Sequence, residues 1–171
     1  IDQVKSHQAP IQAFVPGEVI HAKLGVTGSG FGNYGNVVAV RDKNGYLHCY
    51  GHLDCCLVKV GQLVERGQVI GRQGNTGRVA PAPTPANPAA GSHLHYEVRA
   101  KSTPSFGYQT DVDPTQYLTV YYEREEAAKV PEKKTEFPDV EAGRWSENVI
   151  KVVSELGIMK GYQDGTFKPG Q

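Results

Sequence analysis

Two histidines, His93 and His95, alternate with apolar residues in the segment Ser-His-Leu-His-Tyr-Glu-Val at residues 92–98. This alternation is typical of a β-strand, in which residues i and i+2 point from the same face. Imidazole is among the commonest zinc ligands, and it can also take up or release a proton near neutral pH. The pair therefore fits a metal site, but an isolated His-x-His also fits an ordinary surface pair. The surrounding sequence has to distinguish these alternatives.

The elements that position the pair are predicted to be β-strands. Between residues 10 and 118 the sequence is rich in Val, Tyr and Gly, in short runs broken by turn residues, as in an antiparallel β domain. Residues 37–41 and 46–52 flank Asp-Lys-Asn-Gly at residues 42–45, which predicts a hairpin. Regularly spaced glycines in residues 58–71 predict a strand, a turn and a second strand. We therefore expect a mainly β fold, built as a compact antiparallel sheet or sandwich.

A loop rich in proline directly precedes the histidine pair. Residues 80–90 contain four prolines and five alanines, and this composition does not pair in a sheet. The loop is either a surface insertion or a wall or lid beside the site.

The composition changes after residue 118. Residues 123–136 hold five acidic and four basic residues, which is typical of a solvated linker or a short helix. Further on, apolar residues at helical spacing predict an amphipathic helix that ends at Gly157; they are Trp145, Val149, Val152, Val153 and Leu156. We expect a β domain at residues 1–118, a charged linker at 119–136 and a short C-terminal helical fragment at 137–171.

Charge, hydropathy and cysteine usage exclude several classes of function. The chain has 18 basic and 18 acidic residues, so no net field favours nucleic acid or an anionic membrane. No apolar run approaches the roughly 20 residues needed to cross a bilayer. Cys49, Cys55 and Cys56 are an odd number clustered together, unlike a disulfide framework, and they are expected to be buried free thiols. We expect a monomer that neither binds nucleic acid nor spans a membrane.

Residues 1–118 resemble the lysostaphin family of zinc metallopeptidases, which are bacterial cell-wall endopeptidases. The resemblance rests on ordered motifs at residues 1–2, 10–13 with 17–20, 34–38 (Tyr-Gly-Asn-Val-Val), 50–53 (Tyr-Gly-His-Leu), 58–71, 74–77 (Gly-Asn-Thr-Gly), 93–98 and 112–114 (Val-Asp-Pro).

The resemblance implies a tetrahedral zinc site in which Asp2 and His95 are ligands, with His93 and His52 as the catalytic pair. The family's third ligand is a histidine four residues before the aspartate, which is expected upstream of Ile1, so we expect the domain to be truncated at its N-terminus. A hydrolytic zinc keeps three protein ligands and an open position, where a bound water ionises near neutral pH. His52 and His93 could take the water's proton, stabilise the oxyanion or protonate the leaving amine, and the sequence leaves these roles open.

Three further histidines lack motif support. His48 is expected to be half-exposed, with a place at the rim of the site as the alternative, and His7 is a remote candidate for the missing ligand. His21 has no assigned role. Ser92 stands where the family more often has proline, which bears on substrate preference.

The C-terminal residues resemble part of an S-layer homology motif. The resemblance rests on Phe-Pro-Asp-Val at residues 137–140, on Trp145, and on residues 157–159 and 161–169. This family holds secondary polysaccharides of the cell wall, and several repeats normally pack together. We expect polysaccharide binding only from complete repeats, and Trp145 is expected to be a core residue.

Together these features predict a peptidoglycan hydrolase, a Zn²⁺-dependent endopeptidase that cleaves stem-peptide or cross-bridge bonds and is anchored by an S-layer homology region. It would be extracellular or in the cell envelope of a bacterium, or a phage lysin. The first alternative is an inactive family member that binds and regulates other wall hydrolases. The second is a structural envelope protein in which the β domain is a spacer.

Overall fold

The computed structural model describes residues 1–129 together with Val140, Ile150 and Thr166. Residues 1–129 fold mainly into antiparallel strands, as predicted. In chain order the elements are β1 (Asp2–Gln3), β2 (Pro10–Gln12), β3 (Gly17–Leu24), β4 (Asn36–Arg41), β5 (Leu47–Cys56), β6 (Leu63–Val64), β7 (Val69–Gln73), β8 (Leu94–Arg99), a 3₁₀ turn (Ser105–Gly107), β9 (Asp111–Val112) and α1 (Pro114–Lys129).

All strand pairs in this region are antiparallel. The main sheet has the order β1-β8-β5-β4-β3-β6, while β7 pairs with both β2 and β5, and β9 pairs with β8. Strand β5 is therefore central, because it hydrogen-bonds to β4, β7 and β8 along its length. The predicted strands of residues 58–71 exist as β6 and the start of β7, although each pairs with other strands.

The predicted hairpin joins β4 to β5, with Arg41 opposite Leu47. Asp42 fixes its turn, because its Oδ1 accepts hydrogen bonds from the backbone N–H groups of Asn44 and Tyr46, both at 2.9 Å. Gly45 has a φ of 84°, in the left-handed region where glycine carries no steric cost. The turn thus sets the register that delivers β5 to the centre of the sheet.

Strand β8 and the residue before it alternate between side chains buried in the core and histidines on the opposite face. Leu94, Tyr96 and Val98 are buried in the main hydrophobic cluster. His93 and His95 have the opposite parity and keep part of their side chains exposed, 17 % and 27 % respectively. This arrangement confirms the strand expected from the sequence.

His48 is fully buried, so the expectation of a half-exposed or rim histidine was wrong. Its Nδ1 accepts a hydrogen bond from the Tyr96 hydroxyl at 2.7 Å, and its Nε2 faces Asp42 Oδ2 at 3.2 Å. The physical reason is that α1 covers this face of β5, where the ring centroid of Tyr117 lies 5.5 Å from that of His48. Asp42 also accepts a hydrogen bond from the hydroxyl of Tyr117 on α1.

Helix α1 begins with proline at its first position, where no backbone N–H is needed. Asp113 caps it, since its Oδ1 accepts from the N–H of Thr115 at 2.8 Å and from that of Gln116 at 3.2 Å. The helix runs through the predicted boundary at residue 118 and continues to Lys129. Contacts divide the chain into two units, residues 1–122 and 123–171.

The predicted helix at residues 145–156 lies outside the described residues, apart from the buried Ile150. All three cysteines are free, but only Cys49 is buried, while Cys55 and Cys56 are partly exposed. Within the described part of the chain, no helix combines the length and hydropathy of a membrane span.

Candidate functional site

Strand pairing brings the four predicted site residues together, and we call Asp2, His52, His93 and His95 the histidine cluster. Asp2 on β1 lies opposite His95 on β8. His52 on β5 has its ring centroid 4.8 Å from that of His93 and 5.7 Å from that of His95. Three separate parts of the chain therefore build one cluster.

Asp2 and His95 are at a separation that suits two ligands of one ion. Asp2 Oδ1 lies 3.0 Å from His95 Nδ1, and two ligands at about 2.0–2.1 Å from a tetrahedral zinc would be about 3.3 Å apart. Burial raises the pKa of Asp2, but the hydrogen bond with His95 and the charges of His95 and His93 outweigh burial and lower this pKa overall. Asp2 is therefore kept as a carboxylate. Among the described residues, no group of three or more His, Cys, Asp or Glu side chains is arranged to hold a metal ion.

Glu97 holds the other side of His95. Its Oε2 lies 3.2 Å from His95 Nε2 and accepts a hydrogen bond from the Tyr34 hydroxyl at 3.0 Å. Its Oε1 pairs with the fully buried Arg99. The hydrogen bond to Glu97 raises the pKa of His95. Burial acts in the opposite direction, and Asp2 adds to the increase. Metal-bound histidines usually donate their second ring N–H to a carboxylate, so this arrangement fits a zinc ligand that binds through Nδ1.

His52 is oriented by the backbone on both sides. Its N–H donates to Tyr34 O at 2.7 Å, and its Nδ1–H donates to Thr76 O at 2.8 Å. The backbone of His52 has a φ of 58°, a sparsely populated conformation for a residue with a side chain. Burial lowers the pKa of His52, and the neighbouring His93 and His95 add to this effect. Its Nε2 is therefore a neutral, unprotonated nitrogen near pH 7.

His93 is oriented in the same way as His52, by a backbone carbonyl that accepts from its Nδ1–H. Its Nδ1–H donates to Gly91 O at 2.8 Å, which directs Nε2 toward the cluster, 3.9 Å from Asp2 Oδ1. Both proposed catalytic histidines thus use Nδ1 for anchoring and present Nε2.

The loop that carries Thr76 is locked against its neighbours. Thr76 Oγ1 donates to Leu53 O at 2.7 Å and accepts from the N–H of Asn36 at 2.9 Å. A Cβ atom at Gly77 would collide with the backbone of Gly35, so only glycine permits this contact. The carbonyl that orients His52 is consequently held in place.

A cleft of about 590 Å³ opens beside the cluster, a volume typical of ligand sites. It is lined by Thr27, Gly28, Gly30, Gly32, Asn33, Tyr34, His52, Arg78, His95, Ser105 and Tyr108.

The remaining candidates lie elsewhere. His7 Nδ1 is 3.1 Å from Ser92 Oγ, and among the described residues the ring of His7 is not part of the histidine cluster. The proline-rich residues 80–90 are mostly exposed and contribute nothing to the lining of the cleft. The side-chain amide of Asn75 anchors the C-terminal part of this loop, because it donates to Pro88 O at 2.8 Å and to Ala90 O at 2.9 Å.

Glu97, Tyr34 and Arg78 belong to the site or its cleft, although their sequence positions alone indicated no role for them. Glu97 follows His95 by two positions, so the strand alternation already placed it on the same face. Tyr34 lies 63 positions from Glu97, and no local pattern indicates their contact.

The antiparallel β domain gathers one aspartate and three histidines beside a cleft, an arrangement that fits a peptidase. The chain matches the model of Peptidase family M23 over residues 1–114, and it belongs to this family, whose lysostaphin-like fold it shares. Residues 136–171 match the model of the S-layer homology domain.

Several characterised proteins are similar to parts of this chain. The peptidoglycan DD-endopeptidase ShyA of Vibrio cholerae is 46% identical over 70 residues, which are 41% of this chain and 14% of ShyA. The lipoprotein NlpD of Yersinia enterocolitica is 31% identical over 117 residues, 68% of this chain and 97% of that sequence. The murein hydrolase activator NlpD of Salmonella dublin is 30% identical over 118 residues, 69% of this chain and 25% of that protein.

The fold is similar to solved peptidase structures. The catalytic domain of the antimicrobial peptidase lysostaphin from Staphylococcus simulans superposes with a TM-score of 0.54 at 26% identity, covering 69% of this chain and 76% of that domain. The chain spans only 14% of ShyA and 29% of an NlpD/LppB homologue from Pseudomonas aeruginosa, so it corresponds to a part of these relatives.

Proposed function

We propose that the chain is a zinc-dependent endopeptidase that cleaves peptide bonds of peptidoglycan. The observation that carries the proposal is the placement of His95 between two carboxylates, Asp2 at 3.0 Å and Glu97 at 3.2 Å, beside two histidines that present Nε2. The family membership supports peptidase chemistry.

Asp2 and His95 would hold the metal, with a third ligand predicted to be a histidine four residues before Asp2. The donor set of one carboxylate oxygen and imidazole nitrogens is one that zinc prefers. When bound, zinc polarises a carbonyl group and makes a coordinated water more acidic.

We assign His52 as the general base, because burial keeps its Nε2 unprotonated and Thr76 O fixes the other nitrogen. We assign His93 as the donor that stabilises the developing oxyanion and protonates the leaving amine. His93 Nε2 lies 3.9 Å from Asp2 Oδ1, at the edge of the proposed metal site.

The substrate is inferred from the relatives. ShyA is a peptidoglycan DD-endopeptidase, and the cleft of about 590 Å³ has room for a short peptide segment. We propose that the bond lies in a stem peptide or cross-bridge. The S-layer homology domain would hold the enzyme to a cell-wall polymer in the cell envelope, through complete repeats.

A second candidate function is regulation of other wall hydrolases without catalysis. It is favoured by the similarity to murein hydrolase activators. A regulator would bind hydrolases and leave peptidoglycan uncut.

Substitutions in the chain extended by His-Ala-Ala before Ile1 separate these functions, since this extension places a histidine four residues before Asp2. Asp2→Ala and His95→Ala should lower zinc content and activity together. His52→Ala and His93→Ala should keep one zinc and lose turnover by about 10²–10⁴-fold, the usual contribution of acid–base groups. If His52→Ala or His93→Ala emptied the site, this division of roles would be wrong.

A further inference from the structure

We propose that Arg78 binds a free carboxylate of the peptide that occupies the cleft, and so selects substrates with a carboxylate close to the scissile bond. This inference rests on the proposed function, because it takes the cleft to be the peptide site. Nothing in the family match assigns this residue.

The lining of the cleft carries a positive charge and no negative one among the described residues. Arg78 is the permanently charged side chain of the lining, and no carboxylate among the described residues belongs to it. Glu97 lies behind Tyr34 and His95 and is paired with the buried Arg99. Asp2 is hydrogen-bonded to His95. An anionic group entering the cleft therefore meets one cation that the described structure leaves available.

Arg78 is exposed, and its position is fixed by its backbone. Its N–H donates to Asn33 O at 2.9 Å, next to the close contact of Gly77 with Gly35. Thr76, two residues earlier, holds His52 through its carbonyl. Two residues span at most about 7 Å of chain, so the backbone of Arg78 lies close to the carbonyl that orients the proposed base, and both side chains line the cleft.

Other lining residues give a peptide room to approach. A Cβ at Gly28 would meet nothing within 4 Å, so the missing side chain leaves open space there. Gly30 instead packs closely against the backbone of Ser105, and Tyr108, 55% exposed, provides an aromatic surface.

A carboxylate is the group that this arrangement recognises best. The planar guanidinium matches a carboxylate through two parallel N–H···O bonds, which a C-terminal amide cannot accept in the same way. The carboxylate can be the C-terminal α-carboxylate of the peptide or that of an acidic side chain within about two residues of the bond.

The test is an NMR titration of the full chain with three tetrapeptides. The first is tetra-alanine with a free C-terminus, the second is its C-terminal amide, and the third is an amide with one glutamate. We expect a carboxylate-bearing peptide to bind about five- to tenfold more tightly than the neutral amide. Preference for the first peptide assigns the α-carboxylate, and preference for the third assigns a side-chain carboxylate.

In Arg78→Gln the preference should fall to less than about twofold, and Arg78→Lys should keep part of it, since a charge remains without the bidentate geometry. Lys59→Gln removes an exposed charge outside the cleft and should leave the preference unchanged. Equal binding of all three peptides, no saturable binding, or an unchanged preference in Arg78→Gln would overturn the inference. The titration needs neither zinc nor turnover, so a failure of the proposed catalysis is seen separately.

Discussion

Replacing Glu97 by glutamine tests whether this carboxylate orients the proposed zinc ligand. The substitution keeps size and one oxygen acceptor but removes the charge that His95 Nε2 faces at 3.2 Å. A glutamine can also present its NH₂ group to the ring and favour the wrong tautomer. Loss of such a supporting contact usually weakens metal binding about 10- to 100-fold, which is the expected effect in the chain extended by His-Ala-Ala.

The same substitution has a separate cost in folding stability. Removing one partner of a buried ion pair costs about 3–5 kcal/mol. Arg99 is fully buried, but it also donates to Phe106 O at 2.9 Å and to Gly30 O at 3.1 Å, and the glutamine oxygen can still accept from it. We therefore expect a loss of about 1–3 kcal/mol in the free energy of unfolding.

Two measurements separate these effects. Competition with a zinc chelator gives the affinity under conditions where circular dichroism shows Glu97→Gln to be folded, and urea unfolding gives the stability. Glu18→Gln is the matched control, because Glu18 forms an exposed pair with Arg41 at 2.6 Å, and such pairs contribute only about 0–1 kcal/mol. Unchanged zinc affinity in folded Glu97→Gln would refute the idea that Glu97 supports the metal ligand.

Three further outcomes are expected from the same structure. Tyr117→Phe removes the hydroxyl that donates to Asp42, and should lower the free energy of unfolding by about 1 kcal/mol in urea titrations; no change would mean that this contact does not stabilise α1 on the sheet. Burial lowers the pKa of His21, so the unfolded chain takes up a proton at higher pH than the folded one, and stability should be lost as the pH falls from about 6.5 toward the folded pKa. His21→Gln should flatten that slope between pH 7 and 5 in unfolding measurements, and an equal slope would contradict this reasoning. His52→Ala should remove the acidic limb of the rate–pH profile together with most of the turnover, whereas His93→Ala should lose most of the turnover and keep that acidic limb.

The alternation of residues 92–98 was enough to predict β8 and to place His93 and His95 on one face. The hairpin at residues 42–45 was predictable because its turn chemistry is local. Both features depend on neighbours in sequence, and such patterns can be recognised without a structure.

Other features depend on pairing between distant segments. The pairing of β1 with β8 joins residues 93 positions apart, and the sequence indicated it only through the family resemblance. The burial of His48 was missed because the sequence did not show that Tyr117 of α1 packs over this face of β5. Arg78 and Tyr34 enter the cleft through contacts with other loops, which no spacing rule reveals.

The most direct test of the central claim is the release of new amino groups from purified peptidoglycan by the chain extended with His-Ala-Ala. The matched control is the chain extended with Ala-Ala-Ala, which lacks the third proposed ligand. We predict one zinc per chain and amine release only with the histidine extension, abolished by a chelator and restored by added zinc. Stoichiometric zinc without amine release would contradict the endopeptidase and favour the regulator.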